Sequence, residues 1–139
     1  MRKLTNMLVL IMLLGCGLSS SFHAQAEDGA PKDYAYFGFE PDIITNYISK
    51  QSKKIGYVRI TMEIMVASPD HIAIIEHHAP LLRAAVVEVL GEQDELKVKS
   101  PTGKSEIREL CFETINRLLK EETGQELAVS LLFTKYIYH

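Results

Sequence analysis

Between Tyr57 and Leu90 a strictly alternating segment runs directly into a long helical one, and that succession constrains the fold more than any other stretch. The even positions Val58, Ile60, Met62, Ile64 and Val66 are apolar, whereas Tyr57, Arg59, Thr61, Glu63 and Met65 are mostly polar. Period two over this length predicts a half-buried antiparallel or edge strand. Ser68-Pro69-Asp70 then supplies a helix N-cap, a proline for the first helical position and an early acid. Beyond it Ile72, Ile75, Ala79, Leu82, Val86 and Val89 recur at helical spacing. A strand with one apolar face is followed by a helix whose stripe can cover it. Pro80 lacks the amide that a continuous helix needs, so a kink or break is expected near His78-Ala79, with a second helix from Pro80 to Leu90 and Gly91 as its C-cap.

The flanking segments supply a second copy of the same solution. Residues 34–40 alternate Tyr34, Tyr36, Gly38 against Ala35, Phe37, Phe39 and read as a short strand that stops at Pro41. Ile43, Ile44, Tyr47 and Ile48 fit either a second extended segment or a single helical turn. Residues 50–54 form a polar, basic loop. Residues 92–95 read as an acidic loop and 96–98 as a connecting segment. Ser100 or Thr102 caps a further helix with Pro101 in its first turn; Ile107, Leu110, Cys111, Thr114, Ile115, Leu118 and Leu119 form its stripe, and Gly124 ends it. In residues 127–138, Val129, Leu131, Phe133 and Ile137 fall on one face, and Leu132, Tyr136 and Tyr138 with Ser130 and Thr134 on the other. Apolar weight on both faces places this strand inside the sheet. The expected fold class is α+β: an antiparallel or mixed sheet with two main helices packed on one face.

The 139-residue chain holds one such domain, over residues 34–139, behind a short linker at 27–33. Residues 1–26 read as a signal peptide or membrane anchor. Arg2 and Lys3 precede an uncharged run from Met7 to Leu18, and Ala24-Gln25-Ala26 offers a small-x-small cleavage site. Cleavage after Ala26 removes two basic residues and no acid, taking the net charge from −3 to −5. Two alternatives share the segment. Leu13-Leu14-Gly15-Cys16 is similar to a lipobox that would lipidate Cys16, and the uncharged run from Leu4 to Phe22 could stay as an anchor, although its twelve strongly apolar residues are short against the roughly 20 of a full span. Each alternative carries the domain out of the cytoplasm. The exported part retains only Cys111, so no internal disulfide can form.

The residues point away from enzyme chemistry. His71, His77 and His78 with Glu76 are the one cluster of metal-ligand types, but neither three nor four of them converge on a helix, so no metal site is assigned. No nucleophile elbow or glycine-rich phosphate loop occurs, and no catalytic or cofactor-binding residue is assigned. Lys50, Lys53 and Lys54 lie in an acidic domain without an aromatic platform, which argues against nucleic acid. The aromatics Tyr34, Tyr36, Phe37 and Phe39 crowd the start and Tyr136 and Tyr138 the end; if the terminal strands pair, they form one partner surface or ordinary cross-strand packing. Read from residues alone, the chain is an exported α+β interaction domain. Its competitors are a periplasmic ligand-binding module and a small hydrolase.

The order of short motifs carries a resemblance. Phe37-Gly38-Phe39-Glu40-Pro41 is followed by Ser68-Pro69-Asp70-His71-Ile72, then by His78, Pro80, Leu81, Leu82, Arg83 and Ala85. Ser100-Pro101-Thr102-Gly103-Lys104, the run from Leu119 to Gly124, and Leu132-Phe133-Thr134 with Tyr136 and Tyr138 complete the set. Over residues 36–138 the chain resembles the FliL family of flagellar basal-body proteins. The resemblance implies a non-enzymatic periplasmic domain at the inner membrane, similar in fold to stomatin/band-7 domains. It also implies homo-oligomeric rings and partners among the flagellar stator and basal-body proteins, with effects on swimming or swarming. No catalytic residue is carried over. Members usually keep an uncleaved transmembrane helix after a cytoplasmic tail, whereas this start reads as a signal peptide or lipobox.

Overall fold

The computed structural model describes residues 33–49 and 55–139. The expectations for residues 1–26, for most of the linker and for the basic loop at 50–54 fall outside them. The elements are β1 (Ala35–Gly38), β2 (Ile43–Asn46), β3 (Tyr57–Val66), α1 (Ile72–Gly91), α2 (Glu95–Lys99), α3 (Pro101–Thr123) and β4 (Ala128–Tyr138), with a 3-10 turn at Pro69–His71 before α1.

The alternating segment forms the strand expected of it. Val58, Ile60, Met62, Ile64 and Val66 are fully buried. All pairing among the named strands is antiparallel: β1 pairs with one half of β3 and β2 with the other half, on the same side, while β4 runs along the whole of β3 on the opposite side. The long strand is therefore the centre of the sheet, and the terminal strand, expected inside, lies at an edge.

Two register shifts in β4 explain the error. The inward partners of Val66, Ile64, Met62, Ile60 and Val58 are Ala128, Leu131, Phe133, Tyr136 and Tyr138. Twice the step is three residues instead of two, as at a β-bulge, and each shift moves the following side chains to the other face. Val129 and Ile137, assigned to the face of Leu131 and Phe133, are instead 42% and 41% exposed. Apolar residues on both nominal faces of β4 record these phase changes and do not record burial of two faces.

The helices cover the inward face. Ser68 Oγ accepts from the Asp70 amide, and Pro69 opens the 3-10 turn. α1 then runs unbroken through Pro80, against the expected split at His78-Ala79. An interior proline costs about 3 kcal/mol. Ile75, Leu82, Val86 and Leu90 are fully buried along the same helix, and each such side chain contributes roughly 1.5–3 kcal/mol, so packing outweighs the defect. Glu76 and Pro80 both lie on the exposed side, where water can serve the carbonyl the proline leaves without a donor.

Gly91 is the last helical residue and not a left-handed cap; the cap position is Glu92, and Gln93 Nε2 donates to the Val89 carbonyl at 2.6 Å. In place of the expected loop at 92–95 and connector at 96–98, Glu95–Lys99 forms α2, because Asp94 Oδ1 accepts from the Lys97 amide at 2.8 Å and Val98 is buried beneath the turn. Ser100 caps α3 through the Gly103 amide at 2.9 Å. A Cβ on Gly103 would lie 2.0 Å from the Lys97 carbonyl oxygen, so only glycine lets α3 start this close to α2. Gly124, at φ 79°, ends α3 in the left-handed region. Two main helices on one face of an antiparallel sheet make the fold α+β, as expected.

Candidate interaction surfaces

The candidate chemistry disperses in three dimensions. The His77 and His78 rings meet edge to face at 4.9 Å, and His78 Nδ1 is held by the Ile74 carbonyl at 2.8 Å. His71 Nδ1 is enclosed without a hydrogen-bond partner among the described residues. No three His, Cys, Asp or Glu side chains converge there as a metal site would need. Cys111 is buried under α3, and burial pushes its thiol pKa up to about 12, which keeps it protonated. Ser68 and Ser100 serve as caps.

The aromatics do not form one surface. β1 and β4 do not pair; they flank β3 from opposite sides. Tyr36 lies opposite Met65, whereas Tyr136 and Tyr138 lie opposite Ile60 and Val58 near the other end. Tyr136 turns to the helices: its hydroxyl donates to the Val98 carbonyl at 3.1 Å and Lys104 Nζ sits 5.3 Å from its ring centre. Burial raises its phenol to about 12. Phe37 and Phe39 meet edge to face at 5.1 Å beside α1. Together with Ala79 and Pro80 they line a shallow groove of about 310 Å³, with Glu40, Glu76 and Arg83 around it.

The outward face of the sheet carries a polar bridge. Arg59 Nε donates to Asp42 Oδ2 at 2.6 Å, Thr61 Oγ1 donates to Oδ1 at 2.8 Å, and Lys135 Nζ lies 3.9 Å from Oδ2. The Thr61 hydroxyl first, and Arg59 next, hold the Asp42 carboxyl below the usual aspartate range. This bridge ties β3 and β4 to the residue before β2. Ile44 (59% exposed) and Ile137 lie opposite Arg59 as open apolar groups, and Leu132 and Tyr36 lie further along the same face. Nothing local in the sequence marks it, because positions 42, 59, 61 and 135 meet only through strand register.

These features define a small α+β domain with a polar bridge on the outward face of its sheet and a shallow groove beside α1. The family model described as flagellar basal body-associated protein FliL matches residues 36–138, and the chain belongs to that family. The match covers every described strand and helix apart from Ala35, the first residue of β1. FliL is a flagellar basal-body-associated family and not a known enzyme family. No curated protein matches the chain.

Proposed function

We infer that this chain is a non-enzymatic, exported basal-body protein that associates with the torque-generating stator, assembles with further copies of itself and supports motility under load. Membership of the FliL family across residues 36–138 carries the reading. The placement of the short motifs is compatible with it: Ser68, Pro69, Ser100, Pro101, Gly103 and Gly124 are caps and close-approach positions, so the motif set specifies a scaffold and leaves the surfaces to select partners.

The test is deletion of the gene in its flagellated host, with tethered-cell torque measured at low and high viscous load. A loss of torque or stator occupancy at high load, restored by the full chain, is expected. Unchanged torque and swarming would overturn the reading. Intact mass from membrane and periplasmic fractions then distinguishes a chain starting at Glu27 from a Cys16-lipidated or uncleaved one, and so says whether the domain is tethered at the inner membrane.

A further inference from the structure

The two outer edges of the sheet are treated differently. On β4, α3 occupies part of the edge: Asn116 bonds both backbone groups of Ala128, and Arg108 Nη1 donates to the Leu131 carbonyl at 3.3 Å. On β1 no such cover exists among the described residues. The Phe39 amide donates inward to Met62 at 3.0 Å, so by the antiparallel alternation Phe37 and Ala35 also face β3. The amide and carbonyl groups of Tyr36 and Gly38 therefore point out of the sheet. Their neighbours Phe37 and Phe39 line the groove between β1 and α1.

Three properties of that groove agree on an occupant. Its apolar lining, Phe37, Ala79 and Pro80 over the buried Phe39, suits an aliphatic side chain. Pro80 leaves the Glu76 carbonyl without its helical donor, and that acceptor lies on the helix wall. Glu40 and Glu76 bring two carboxylates, neither ion-paired among the described residues, against one guanidinium, that of Arg83, which rests 5.8 Å over the Phe39 ring.

We propose that the β1 edge binds an extended, basic segment of a partner protein, which adds as a strand on Tyr36 and Gly38 and sets its alternate side chains into the groove against α1. Main-chain bonds supply the docking and the pockets for alternate residues supply the selection. The carboxylates favour lysine or arginine beside an aliphatic residue. The inference goes beyond the stator reading and holds whichever protein donates the strand.

The experiment uses the full-length chain and a fluorescein-labelled heptapeptide with threonine at odd positions and leucine, lysine, leucine at even ones, followed by anisotropy. Saturable binding is expected, weakened about tenfold when the lysine is replaced by glutamate, since two exposed carboxylates each add a modest amount. Methylating alternate peptide amides should abolish it. Glu40→Lys with Glu76→Lys should reverse the charge preference. Gly38→Pro removes an outward donor without breaking a ladder bond and should also abolish binding, with circular dichroism confirming the fold. Equal binding of the methylated peptide, or no binding of the basic one, overturns the proposal. So does self-association lost in Gly38→Pro without peptide binding, which would assign the edge to a second copy.

Discussion

The side-chain amide of Asn116 pairs with both backbone groups of Ala128: Nδ2 donates to the carbonyl and Oδ1 accepts from the amide, each at 3.0 Å. All of these groups are buried, so a helix side chain stands in for a missing neighbouring strand. Asn116→Ala leaves two main-chain groups without partners away from water, at roughly 1–3 kcal/mol each. Urea unfolding should show a loss of about 2–6 kcal/mol with an unchanged m-value. Asn116→Asp keeps the acceptor, loses the donor, and should fall at least as far.

At Gly103 the usual helix preference is inverted. Alanine is ordinarily better than glycine in a helix by about 1 kcal/mol. Here a Cβ would meet the Lys97 main-chain oxygen, which cannot rotate away. Gly103→Ala should therefore destabilise, with a lowered thermal midpoint, while Gly38→Ala, whose nearest neighbour would be Glu63 Cγ at 3.9 Å, should be tolerated.

Pro80→Ala restores a helical amide to the Glu76 carbonyl and should raise stability by about 1–3 kcal/mol in the same unfolding assay. Because Pro80 lies on the exposed side of α1, no cavity offsets the gain.

Burial raises the Cys111 thiol from its ordinary value to about 12. The folded state holds the proton more tightly, so its contribution to stability is complete below the unfolded thiol pKa of about 8.5 and is lost as pH rises toward the folded value. Unfolding free energy should decline over that alkaline window, and Cys111→Ser should flatten the decline. Ellman's reagent at neutral pH should label the thiol only after denaturant is added.

Asp42 behaves oppositely. The Thr61 hydroxyl and Arg59 lower its pKa, so its contribution is present above the unfolded value of about 3.9 and is lost as pH falls through the lower folded value. Asp42→Asn should remove that acid-side component, read as a shallower stability profile below pH ~4.

Local chemistry made much of this fold legible. The β3 alternation, the Ser68 and Ser100 caps, the stripe of α3 apart from the exposed Leu110, and the stop at Gly124 each depend on residues close in sequence. The bulges in β4 defeated a period-two reading because a single extra residue exchanges the faces, and nothing in the residues from Ala128 to Tyr138 marks where it sits. Pro80 misled because intrinsic cost is local whereas the burial that overrides it is not. The Asp42 bridge and the β1 groove need strand order and register, and these arise from tertiary pairing alone.

The long central strand has a mechanical corollary. Because β1 and β2 run end to end along one side of β3, the chain enters the sheet at Ala35, opposite Val66, and leaves it at Tyr138, opposite Val58. Tension between those two points pulls the outer strands along their own axes in opposite senses, so the ladder bonds on either side of β3 share the force in shear and are not peeled one at a time. Stretching a domain threaded in this way must therefore break the ladder bonds of β1 or β4 to β3 together.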